Sequence, residues 1–142
     1  MKIAIGSDQD GFALKEIIKK HLQANGYDIV DISPAAAADF VDSSVAVIRS
    51  VLEHKADRGI MLDAYGVGSY MASSKLRGAI TANVTDENSA HMTRRHNNTM
   101  AIAIGSEIVG KTLALRLVDE YLAADYDGGR HQVRVDMISK ML

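Results

Sequence analysis

No cysteine occurs among the 142 residues, which removes disulfides, thiolate metal sites and cysteine nucleophiles from this chain's own repertoire. Tryptophan is absent too, and the single proline, Pro34, argues against Pro-rich linkers. No excess of either charge exists: 16 Lys and Arg against 18 Asp and Glu give a formal net charge of −2. That balance carries no nucleic-acid or anionic-membrane footprint. No apolar run approaches the roughly 18 residues of a membrane span. Residues 1–6 read as a short apolar strand, not a signal peptide. The expectation is a cytoplasmic protein with one domain over residues 1–142 and one buried core.

What is present is an alternation of strand and helix signals. Strands are expected at Lys2 to Gly6, Asp28 to Ile32, Gly59 to Leu62, Ala79 to Val84 and Met100 to Gly105. Between them fall helices at Phe12 to Gln23, Val41 to His54 and Gly68 to Lys75, then one capped by Asp86 that ends near Asn97-Asn98. In the first, Leu14, Ile17, Ile18, His21 and Leu22 share a side. An amphipathic helix through Leu113 to Leu122 follows the fifth strand, and an extra C-terminal helix runs from Arg130 to Leu142. Such alternation implies parallel βαβ units: an α/β, Rossmann-like, doubly wound open sheet of five strands with helices on both faces. Ligands of these sheets bind beyond the carboxyl ends of the strands, which brings Asp8, Asp63 to Ser69, Asp86 and Glu107 forward.

Asp63-Ala64-Tyr65-Gly66-Val67-Gly68-Ser69 follows the most apolar strand and opens a helix, so its backbone N–H groups are placed to cradle an anion. Gly66-x-Gly68 lacks the third glycine of a dinucleotide fingerprint, position 71 being Met71. A phosphate or sugar cradle and a ligand-free tight turn both remain open there. Gly128-Gly129-Arg130-His131-Gln132-Val133-Arg134 places Arg130 and Arg134 four apart on one helical face. Cations in a first turn oppose the helix dipole unless an oxyanion supplies the missing negative charge. His96-Asn97 sets a titrating ring beside an amide. His91 and His96, five apart, point in different directions, and no metal site is expected.

These motifs together resemble the sugar-phosphate isomerases of the ribose-5-phosphate isomerase B and galactose-6-phosphate isomerase type, over nearly the whole chain. The matching segments are residues 1–8, Gly66-Val67-Gly68, Arg95-His96-Asn97-Asn98 and Gly128 to Val135. Among the departures, the proton-transfer residues of the strand-three loop are gone, while His96, Asn97, Arg130 and Arg134 survive. Asp63 stands where the family has its catalytic cysteine, Ala64-Tyr65 where it has Gly-Thr, and Ser69 where some members have a glutamate base. Gln9 replaces a histidine, Glu107 an arginine and Met100 an asparagine.

The resemblance implies an active site shared between two subunits, with no cofactor. It implies His96 as the ring-opening residue, Asn97, Arg130 and Arg134 as substrate ligands, and lesser roles for Asp8, Gly66 and Gly68. A chain that keeps only this half is similar to the A-type subunit of a hetero-oligomeric galactose-6-phosphate isomerase, whose homologous B-type partner carries the cysteine. A catalytically silent subunit of such a complex, or a homo-oligomeric isomerase using Asp63, are the alternatives.

Overall fold

A computed structural model describes residues 1–141. Five strands form one sheet in the order β2-β1-β3-β5-β4, every neighbouring pair parallel. They are β1 (Lys2–Ser7), β2 (Asp28–Asp31), β3 (Arg58–Asp63), β4 (Thr81–Asn83) and β5 (Ala101–Gly105). The helices are α1 (Phe12–Ala24), α2 (Phe40–Leu52), α3 (Val67–Ser73), α4 (Glu87–Asn97), α5 (Lys111–Ala123) and α6 (Gln132–Ser139). The expected doubly wound sheet is therefore what the chain forms.

Its two faces bury different side chains because successive strand residues point in opposite directions. Ile3, Ile5, Ile60, Leu62, Ile102 and Ile104 pack under α1 and α5 with Leu14, Ile18, Leu117 and Tyr121. Ala4, Met61, Ala101 and Ala103 take the smaller space under α2, against Val47 and Ile48. β3 and β5 are buried along their whole length, as continuously apolar central strands require.

Several boundaries differ from expectation. β4 has only three residues, and as an edge strand it is kept short. α3 begins at Val67 and stops at Ser73, while α2 begins at Phe40 behind the cap of Asp39, whose carboxylate accepts the Asp42 N–H at 2.9 Å. The last helix starts at Gln132 and ends at Ser139; Leu142 lies outside the described residues. On α1, Ile17 is exposed and Lys15 is fully buried instead. Lys15 Nζ donates to Asp31 at 3.0 Å and to the Ser33 carbonyl at 2.6 Å, so a buried charge is paired and tied to the end of β2. Burial works to raise the Asp31 carboxyl, but Lys19 and Lys15 outweigh it and hold it below the usual range.

Candidate active site

The parallel strands give the sheet two chemically different ends. At the carboxyl end, β1 and β3 deliver Asp8 and Asp63 to the point where the chain winding reverses. Asp8 Oδ1 accepts the Gly11 N–H at 3.1 Å and closes the turn into α1. A Cβ on Gly11 would lie 2.5 Å from the Leu62 carbonyl group, so this turn sits directly on the end of β3. Asp8 thus gives one carboxylate oxygen to a turn, and Gly11 is a structural residue that the sequence did not single out.

The cradle after β3 exists, but it is already filled. Asp63 Oδ1 accepts the Gly66 N–H at 2.6 Å and Oδ2 the Ser69 N–H at 3.3 Å. The anion in the cradle is the chain's own carboxylate. Gly66 takes φ +80° at the start of α3, where a Cβ would strike the Asn83 amide. Gly68 is needed for close contact with the Phe40 ring. Burial pushes the Asp63 carboxyl up and nearby Asp8 adds to this, against the two N–H donors. Ser69 Oγ is buried without a hydrogen-bond partner, and Tyr65 is exposed at the mouth.

The amino end is cationic. α4 runs back from β4 and finishes where β5 begins, which sets His96 and Asn97 there. The helix stops because Asn98 adopts φ 55°, a left-handed cap. The Thr99 carbonyl then accepts from Arg94 Nη1 at 3.1 Å and Tyr121 Oη at 3.0 Å, and Thr99 Oγ1 lies 2.6 Å from Thr93 Oγ1. Thr93 also donates to Asn97 Oδ1 at 3.3 Å. These bonds fix the last turn of α4 against the sheet. His96 and Asn97 border a cleft of about 350 Å³ along α4, next to Asn83.

α5 also runs back to this end, where Arg58 donates to the carbonyls of Tyr121, Leu122 and Ala124 and closes its terminus. The chain then turns through Gly128 and Gly129, at φ 63° and 55°, into a short 3-10 turn, Gly129–His131. Arg130 therefore sits in that turn and Arg134 in α6, rather than both on one α-helical face. Arg134 Nη1 still reaches the Arg130 carbonyl at 3.3 Å, which keeps the two residues together.

Two further residues join this group. The His131 ring stacks on His96, and Asp127 accepts from Arg95 Nε at 3.0 Å, a bond that holds the Asp127 carboxyl below its usual range. His131 stood inside the Gly128-to-Arg134 motif with no role assigned to it, and nothing singled out Asp127, since their contact with α4 is long-range. Donor atoms of His96, Asp127 and His131 lie within 4.8 Å of one another. Parallel rings nevertheless send their in-plane lone pairs side by side instead of to one point, and Arg95 already engages Asp127. With Arg130 and Arg134 alongside, the group suits an anion better than a cation.

His96, Asn97, Arg130 and Arg134 thus lie together at one end, and Asp8, Asp63, Gly66 and Gly68 at the other. The length of β5 separates them, roughly 16 Å at 3.3 Å per residue. Among the described residues no helix is long and apolar enough to cross a membrane.

Comparison with known proteins extends the geometry. Residues 3–138 match the family model described as Ribose/Galactose Isomerase. The chain is 51% identical to galactose-6-phosphate isomerase subunit LacA of Staphylococcus epidermidis and 50% identical to that of Staphylococcus aureus, covering 99% of both chains in each case. Among solved structures, ribose-5-phosphate isomerase B of Clostridium thermocellum superposes with a TM-score of 0.96 at 37% identity, over 99% of this chain and 97% of that one. The ribose 5-phosphate isomerase of Thermotoga maritima gives 0.94 at 34%, over 99% and 98%.

Proposed function

The chain belongs to the ribose/galactose isomerase family, and from that premise we propose that it is the A-type subunit of a hetero-oligomeric galactose-6-phosphate isomerase. It is a sugar-phosphate isomerase, and the reaction assigned to it interconverts D-galactose 6-phosphate and D-tagatose 6-phosphate in the cytoplasmic breakdown of lactose and galactose. One observation carries the shared-site reading: the cationic residues and the strand-three loop stand at opposite ends of one sheet. A site that uses both kinds of element draws them from two chains.

The chemistry divides accordingly. The pyranose must open before a proton can move between C2 and C1 through an enediolate. His96 takes the anomeric hydroxyl proton and supplies one to the ring oxygen, while Asn97 orients the sugar. Arg130 and Arg134 hold the phosphate, binding energy remote from the reacting carbons. The homologous B-type partner contributes its cysteine loop for the carbon-to-carbon proton transfer, which needs no cofactor. This chain's own loop is closed by Asp63, so the second kind of interface site is inactive. A self-sufficient homo-oligomer would first have to free that carboxylate from the Gly66 and Ser69 N–H groups.

The test is co-expression with a cysteine-bearing partner. The assembled complex converts galactose 6-phosphate, the chain alone does not, and His96→Ala in this chain abolishes turnover of the complex. Full turnover with His96→Ala would leave a silent subunit as the better reading.

A further inference from the structure

His131 has no part in the steps above, yet its ring lies 4.1 Å from that of His96, centroid to centroid, with planes only 9° apart. The two rings come from separate segments, and the structure spends several bonds on their register. The Asp127 N–H donates to the Arg95 carbonyl at 2.9 Å, and Arg95 Nε returns to Asp127 Oδ1 at 3.0 Å. The His131 N–H closes the turn onto the Gly128 carbonyl at 3.0 Å. Asp127 Oδ2 stands 3.9 Å from His96 Nε2, beyond a hydrogen bond but close enough to act as a field.

The charged groups around the stack are Arg95 from α4, Asp127 from the connecting segment, Arg130 from the turn and Arg134 from α6. Two imidazolium rings stacked face to face among three guanidinium groups would repel strongly, and one carboxylate does not neutralise them. Burial first, then the charge of His96 and of Arg130, hold His131 below the usual imidazole range, with Asp127 opposing.

We propose that His131 is a positioning residue for ring opening: its stacked ring fixes the plane of the His96 imidazole. The role rests on the assignment of ring opening to His96. In that step the O1–H and C1–O5 bonds break, a C1=O1 carbonyl forms, and O5 gains a proton. The proton count on the pair is unchanged over the cycle. A neutral stacked neighbour lets His96 give and take that proton without turning out of line.

The assembled enzyme tests this with three variants. His131→Ala lowers kcat roughly tenfold and leaves KM within about twofold, because the phosphate ligands are untouched. His131→Phe, which stacks but does not titrate, recovers most of kcat and removes one ionisation from the acid side of the pH profile. A raised KM with unchanged kcat in His131→Ala would make His131 a phosphate ligand and overturn the proposal. So would a Phe variant no better than the Ala variant.

His96→Ala separates the two levels of inference. If it retains full turnover, the ring-opening assignment itself fails. If it is inactive while both His131 variants behave as wild type, only the positioning role fails. Proton NMR of the chain alone adds a readout independent of the partner. The His96 ring protons carry a ring-current shift that His131→Ala removes and His131→Phe keeps, and shifts unchanged in His131→Ala also overturn the stack.

Discussion

The two ends of the sheet present opposite solutions to the same problem, the placing of a negative charge. At the carboxyl end the backbone donors of the β3–α3 loop are satisfied internally by Asp63, and Asp8 and Glu107 lend the surroundings further negative charge. At the amino end Arg95, His96 and His131 surround the Asp127 carboxylate, with Arg130 and Arg134 beside His131. One end fills its anion site from within, and at the other the Asp127 carboxylate is outnumbered by the basic groups around it. A resident carboxylate can therefore hold a loop in the geometry of an anion site, since it takes the place that a bound anion would occupy.

The comparison breaks first on catalysis. His96→Ala in the assembled enzyme is expected to lower kcat by roughly 10²–10⁴, the usual span for a lost acid–base group. Asp63→Asn, at the other end, is expected to stay within about threefold in kcat and KM, because the proposed reaction draws no side chain from this loop. Steady-state kinetics on the two complexes decides it, and similar losses in both variants would erase the distinction between a working end and a closed one.

Next in size is phosphate binding. Replacing Arg130 or Arg134 with methionine removes charge-assisted bonds of about 1.5–3 kcal/mol, a rise in KM of roughly tenfold to a hundredfold. Because those bonds form in ground and transition states alike, kcat is expected to change much less. A fall in kcat at constant KM would place the arginines at the reacting carbons instead.

The closed end is tested by emptying it. Asp63→Ala leaves the Gly66 and Ser69 N–H groups buried without an acceptor, at about 1–3 kcal/mol each, partly offset by relief of the carboxylate's own burial. Urea unfolding is expected to show a net loss of about 1–3 kcal/mol. Millimolar sulfate should restore part of the melting temperature in the variant and none in the wild type. If sulfate has no effect on the variant, the loop is only a tight turn.

How much of this was legible in the sequence follows from the range of each interaction. The sheet could be read because apolar periodicity and turn residues are local, and the boundaries slipped where edge position, as at β4, overrides propensity. His96, Arg130 and Arg134 stood out as a titrating or cationic residue in a short motif. That Asp63 fills the cradle could not be read, since a carboxylate at a strand end is compatible with pointing inward or outward. The burial of Lys15 was hidden for a related reason: besides its neighbour Glu16, the ammonium is held by Asp31 and Ser33, which are distant in the chain. The His96–His131 stack depends on contacts across more than thirty positions, which no periodicity encodes.

The smallest effect concerns pH, and its sign separates the ends once more. Asp127, at the amino end, titrates below its ordinary value because of Arg95, so its contribution to stability is present above the unfolded pKa and lost as pH falls through the folded one. Asp63 behaves in the reverse sense. Its folded carboxyl is raised above the ordinary 3.8 by burial and by Asp8. Between those two values the folded chain binds more protons than the unfolded one, so stability decreases as pH rises through the folded pKa. Asp63→Asn removes that dependence whatever constant offset it introduces through the altered hydrogen bonds. Urea midpoints taken in steps from pH 4 to 7 should therefore show wild-type stability falling relative to Asp63→Asn as pH increases. The opposite slope would mean that the Gly66 and Ser69 donors outweigh burial, and that the carboxylate in the closed cradle is a stabilising charge.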